Sequence, residues 1–178
     1  MQIQTSRFGN VELDQEDIIE FPEGILGFNS LRKFVLLDDP TDEIFAWLQS
    51  CENPAIAFPI LEPQLFAPKY GFQLARRDLE ALQMQNGEKY HCFCIITIPQ
   101  DARQMTANLK APVVINAKKR LARQCVLQDN SLAIREPIFA HLQQRFVQSP
   151  QQPIKSRVVD SGMTIRLSDS KPTKVAEV

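Results

Sequence analysis

Phe34-Val35-Leu36-Leu37, closed by Asp38-Asp39-Pro40, is the stretch that decides the fold. It is a short apolar run bounded by a turn signal, which reads as a strand. A strand without a polar face needs cover on both sides, and Val113-Val114-Ile115 repeats the pattern. Working outward, strand-length apolar or alternating runs recur at residues 2–5, 11–13, 18–21, 46–49, 55–60, 90–98 and 124–128. Gly9-Asn10, Pro22-Glu23-Gly24, Asn53-Pro54, Asn86-Gly87 and Pro99 separate them. Many short strands with turn punctuation predict a mainly β protein, a small antiparallel β-barrel-like domain.

Two segments depart from period 2. Arg76-Arg77-Asp78-Leu79-Glu80-Ala81-Leu82 is rich in helix formers, with Leu79 and Leu82 on one face, and predicts a short helix over the sheet. Ile138, Leu142 and Phe146 fall four apart behind Pro137 and predict a second one. After residue 148 come Pro150, Pro153, Pro172, several serines and only isolated apolar residues. The domain is therefore placed at 1–146 and a flexible C-terminal tail at 147–178. Within that tail, Met163-Thr164-Ile165-Arg166-Leu167 alternates as a strand added to an open sheet edge or to a partner would.

The 178 residues, 44% hydrophobic and 23% charged, suit one soluble globular core. The formal charge of -1 conceals an uneven distribution. Residues 1–63 carry 12 acidic against 3 basic groups, residues 64–148 carry 6 against 12, and residues 149–178 carry 3 against 5. An acidic first third repels nucleic acid and attracts a basic partner if its carboxylates share a surface. The N-terminus has neither a basic nor an apolar leader region, and no apolar run is long enough to span a bilayer, so a cytoplasmic location without membrane contact is expected. In that compartment Cys51, Cys92, Cys94 and Cys125 read as reduced thiols used for packing.

Little in the chain supports catalysis. His91 and His141 lie far apart, there is no Gly-x-Ser-x-Gly elbow, and six scattered glycines form no phosphate-cradling loop. Cys92-x-Cys94 is the best metal candidate, but its spacing is not that of a structural zinc turn; no metal and no cofactor are expected. Lys118-Lys119-Arg120, with Lys110 and Arg123 nearby, is the densest basic cluster. The alternative readings are a nucleic-acid-binding barrel using this hairpin, Lys118 to Arg123, and an enzyme of unrecognised type using Cys92, Cys94 or His91, which the missing partner residues disfavour. The lack of interleaved stacking aromatics favours a solvated hairpin tip.

Two segments are more specific. Phe21-Pro22-Glu23-Gly24-Ile25-Leu26-Gly27-Phe28 follows a strand and combines two glycines with a proline, which makes a stiff, shaped loop. Thr106-Ala107-Asn108-Leu109-Lys110-Ala111-Pro112-Val113-Val114-Ile115-Asn116 puts polar Asn108 and Lys110 ahead of an apolar strand. Asn108 has a plain alternative role, satisfying loop backbone groups.

These segments resemble the FliW family. The resemblance also covers Phe8-Gly9-Asn10-Val11-Glu12, Leu48-Gln49-Ser50, the stretch ending in Pro68-Lys69-Tyr70, and Ile96-Thr97-Ile98-Pro99, all in order over residues 1 to about 140. Ile25-Leu26 departs from an often expected Leu-Pro pair, and the tail exceeds the family core. The resemblance implies a non-enzymatic, barrel-like protein with flagellin and the translational regulator CsrA as partners. The chain is further expected to be monomeric by itself, and its acidic first third speaks against direct nucleic-acid contact. The candidate contact residues are Glu23 and Phe28 on the loop, Asn108 and Lys110 before Pro112, and Asp38, Asp39, Asp42 and Glu43 as an electrostatic face.

Overall fold

A computed structural model describes residues 1–41, 44–148 and 163–167, with side chains at 146–148 and 166 excepted. Strands β1 (Gln2–Thr5) and β2 (Gly9–Glu12) form a hairpin with Ile3 opposite Val11. The remaining elements are β3 (Ile19–Glu20), β4 (Lys33–Asp38), β5 (Ala46–Ser50), β6 (Ala57–Leu61), α1 (Arg76–Ala81), β7 (His91–Thr97), β8 (Thr106–Ala107), β9 (Val113–Asn116), β10 (Leu121–Gln124), β11 (Glu136–Pro137), α2 (Phe139–Gln148) and β12 (Thr164–Arg166). Strands β7, β6, β5, β4, β3, β10 and β9 pair in that order, and β9 pairs back with β7. The sheet is thus a closed seven-stranded barrel, the class that the sequence predicts.

Alternation explains why its strands lack a polar face. Phe34 and Leu36, Ala46 and Leu48, Ile60, Phe93, Val113 and Ile115 belong to one buried cluster, the barrel interior. Their strand neighbours Val35, Leu37, Trp47, Leu61, Cys94 and Ile96 point the other way, into a second cluster. The β1–β2 hairpin covers that outer surface through Ile3, Phe8 and Val11, and α2 does so through Leu142. A third, smaller cluster packs Leu82 and Met84 on Val114 and Cys125. Both sides of the wall are therefore dry.

Several boundaries differ from the sequence expectation. The strand read at 124–128 begins at Leu121, because the charged turn Lys118-Lys119-Arg120 ends early, with Arg120 at φ 53°. Its extension survives as Cys125 and Leu127 N–H groups donating to the carbonyls of Pro112 (2.9 Å) and Lys110 (2.8 Å). Pro137 does not open the second helix: it pairs with Thr106 in β11, and α2 starts at Phe139. Ile138 and Leu142 are buried as their spacing predicts. The alternating residues 163–167 supply β12, which runs parallel to β4. The other tail residues, 149–162 and 168–178, lie outside the described residues.

Candidate partner-binding face

The stiff loop grows directly out of the barrel. Phe21 is fully buried and meets Phe34 edge-on at 5.0 Å between ring centroids. The chain then folds back on itself: Gly24 N–H donates to the Phe21 carbonyl (2.8 Å) and Phe28 N–H to that of Ile25 (2.7 Å). Ile25 is buried, and half-buried Phe28 packs edge-on against Phe58 at 5.2 Å. The Arg32 guanidinium donates to the carbonyls of Pro22 and Asn29. With both flanks fixed, Leu26 at the tip stays 56% exposed.

Gly24 and Gly27 both adopt positive φ, +68° and +83°. A Cβ at Gly24 would lie 2.7 Å from the Phe28 carbonyl oxygen and from the Asn29 Cα, whereas one at Gly27 would meet nothing within 4 Å.

Strand β10 ties this loop to the second specific segment. The Gln124 side chain accepts the Leu26 N–H at Oε1 (3.0 Å) and donates from Nε2 to the Ala111 carbonyl (3.1 Å). One residue earlier, Arg123 pairs through Nη1 with Glu23 Oε1 (2.6 Å) and through Nε with Asp78 Oδ1 on α1 (2.8 Å). Asn108 takes the plain role, its Oδ1 accepting the N–H groups of Lys110 and Ala111, each at 3.1 Å. The Lys110 ammonium reaches Asn130 Oδ1 at 3.1 Å. Glu23 and the loop therefore share a face with the 108–111 segment. Nothing in the local sequence marks Gln124, Arg123 or Asp78 as the connection, since the partners lie 98, 100 and 45 positions away.

The acidic run needs correction. Asp38 is only 3% exposed, because it ends β4 inside the wall with β12 alongside, so it does not belong to an exposed electrostatic face. Asp39 is half-buried and holds the following turn, its Oδ1 accepting from the Thr41 N–H and hydroxyl. Asp42 and Glu43 lie outside the described residues. Exposed carboxylates gather instead at and just beyond the end of β2: Glu12, Asp14 and Glu16 are exposed, and Glu12, Asp14 and half-buried Asp17 line one open cleft. Of the basic cluster, Lys118 and Lys119 are exposed at the β9–β10 tip, while Arg123 and Lys110 are already engaged.

The thiols are poorly suited to nucleophilic chemistry. Burial pushes Cys51 up to about 11 and Cys92 and Cys125 up to about 12, and raises Cys94 as well. A nucleophilic cysteine needs the opposite shift. His91, in a cleft with Glu62, Tyr70, Phe72, Tyr90 and Cys92, is lowered by burial. Among the described residues no group of three His, Cys, Asp or Glu side chains is placed to hold a metal, and no helix is long and apolar enough to cross a membrane.

Comparison with known proteins agrees with this architecture. Residues 2–138 match the family model described as FliW protein. The flagellar assembly factor FliW of Bdellovibrio bacteriovorus is 66% identical over 157 residues, covering 88% of this chain and 90% of the relative. That of Thermoanaerobacter pseudethanolicus is 37% identical over 147 residues, covering 82% and 98%. A crystal structure of the flagellar assembly factor FliW superposes with a TM-score of 0.72 at 35% identity, covering 78% of this chain and 97% of its own. These relatives are named as assembly factors and not as enzymes. With the family match running from residue 2 to residue 138 on a shared barrel, the chain belongs to the FliW family.

Proposed function

We propose that this chain is a cytoplasmic, non-enzymatic flagellar assembly factor that binds flagellin and, once flagellin is exported, captures CsrA, so that CsrA leaves the flagellin messenger RNA. It acts as a monomer, without cofactor and without touching nucleic acid itself. The observation that carries the reading is the loop between Phe21 and Phe28: fixed by Gln124, Arg123 and Arg32, it holds an apolar tip in solvent at no further ordering cost. An apolar anchor of this kind suits a shape-driven contact with flagellin. The exposed carboxylates Glu12, Asp14 and Glu16 suit a basic RNA-binding partner such as CsrA. Phe28, Asn108 and Lys110 then act by shaping the face.

Calorimetric titration of purified flagellin and of CsrA into this chain tests the reading, and each is expected to saturate. Leu26→Asp should weaken flagellin by roughly tenfold or more, the scale of an interface anchor. Changing Glu12, Asp14 and Glu16 together to lysine should slow CsrA association and flatten its salt dependence, since surface steering is screened over ~8 Å at physiological ionic strength. If neither protein binds, the assignment fails. Direct RNA binding in their place would restore the basic-hairpin alternative.

A further inference from the structure

Residues 163–167 fill a place in the barrel wall that no core strand occupies. β4 is six residues long, yet β3 pairs only with its first two, Lys33 and Phe34. Leu36 and Leu37 pair with Leu48 and Trp47 of β5 on one edge. The edge left by β3 is taken by β12, with Thr164, Ile165 and Arg166 beside Leu36, Leu37 and Asp38. The Leu167 N–H then donates to the Asp38 carbonyl at 2.9 Å. Met163 is 3% exposed and joins the interior cluster, while Ile165 and Leu167 pack on the outer one. Main-chain bonds to a sheet edge, with alternate side chains entering apolar surface, is how a partner strand is recognised in other proteins.

Three features mark this occupant as exchangeable. It is three residues long, and it pairs in parallel, the weaker arrangement per residue. It also lies beyond residues 2–138 of the family match, whereas the edge it covers lies within them. We propose that the β4 edge at Leu36, Leu37 and Asp38 is a docking site for an extended segment of a partner protein, and that residues 163–167 are a built-in competitor for it. The partner segment runs parallel to β4 and is apolar at three alternate positions, as the chain's own segment is. This site goes beyond the flagellin and CsrA reading and does not depend on it. A free segment meets the internal one already seated on the same edge, so it binds well only when the internal one is disabled.

A fluorescent peptide of residues 161–168 provides the probe, titrated into the full chain and into the full chain carrying Ile165→Asp and Leu167→Asp. The peptide is expected to bind the altered chain at least roughly tenfold more tightly than the unaltered one. An unrelated peptide with three alternate apolar residues should compete, and its all-serine counterpart should not. Equal affinity for the two chains, or no binding to the altered chain while it remains folded, overturns the proposal. Hydrogen exchange on the unaltered chain is independent of how well the altered one folds. An exchangeable strand opens without added peptide, so residues 163–167 should exchange faster than β5 while the part of β4 paired with β5 stays protected. Residues 163–167 exchanging as slowly as β5 also overturns the proposal.

Discussion

The barrel has two outer coverings, and they hold by different means. The larger is mainly apolar: the β1–β2 hairpin and α2 join Trp47, Leu61, Cys94 and Ile96 in one cluster, with Trp47 flanked by Phe8 and Phe45 and capped by the Arg7 guanidinium 3.9 Å from its ring. The smaller rests Leu82 and Met84 on Val114 and Cys125, and a polar tie runs beside it from Asp78 through Arg123 to Glu23. The first rests on apolar burial. The second adds directional bonds, which also fix where the loop tip points. Stability and presentation of the candidate face are therefore divided between the two coverings.

The division is open to attack in order of expected size. Trp47→Ala should cost about 3–5 kcal/mol in urea unfolding, as large-to-small changes in cores do, while leaving the Leu26 amide as protected as before. A loss under about 1 kcal/mol would mean that the large covering is not held by apolar contact. Asp78→Ala comes next, at about 2–3 kcal/mol, because it leaves Arg123, 19% exposed in its side chain, with only the exposed Glu23 as partner. The double change of Asp78 and Arg123 to leucine and methionine should recover much of that loss. Gln124→Ala removes two side-chain bonds and should cost only about 1 kcal/mol, yet hydrogen exchange at Leu26 should rise markedly. Unchanged exchange would show that the loop does not need β10.

The smallest effect at neutral pH is Cys125→Ala, whose signature appears in alkali. Burial holds the Cys125 thiol at about 12 in the folded chain against an ordinary value of 9.0. Below pH 9 it is neutral folded or unfolded and contributes no slope. Between about 9 and 12 the unfolded chain ionises first, so stability falls as pH rises. The variant should show a shallower decline over that window in chemical-unfolding midpoints, and an identical slope would place the alkaline sensitivity in the other buried thiols.

Much of this was legible in sequence for reasons the fold makes plain. Phe34-Val35-Leu36-Leu37 and Val113-Val114-Ile115 read as doubly covered strands because their alternate residues do feed two separate clusters. The Lys118-Lys119-Arg120 tip and the α1 helix are local features that local chemistry sets, and so is the turn chemistry of the shaped loop, Pro22 with Gly24 and Gly27, though not what fixes its tip. Charge placement was less readable. Composition located the acidity in the first third, but only tertiary pairing puts Asp38 inside the wall and Glu12, Asp14 and Glu16 outside it. The Gln124 bridge and the Arg123 tie were hidden because a strand-end glutamine or arginine has no local partner to announce it. The two-residue strands β8 and β11 carry too little periodicity to detect.

Gly24 and Gly27, three residues apart and alike in backbone sign, should have separate histories under random substitution. At Gly27 the open surroundings leave only the left-handed conformation to satisfy, which asparagine or aspartate does at small cost. At Gly24 the first carbon of any side chain strikes main-chain atoms of Phe28 and Asn29, which cannot swing aside as a side-chain end would. A saturation library selected for folding should therefore recover asparagine at 27 and almost nothing but glycine at 24. Drift in this family can rewrite the tip of the loop while its hinge stays fixed.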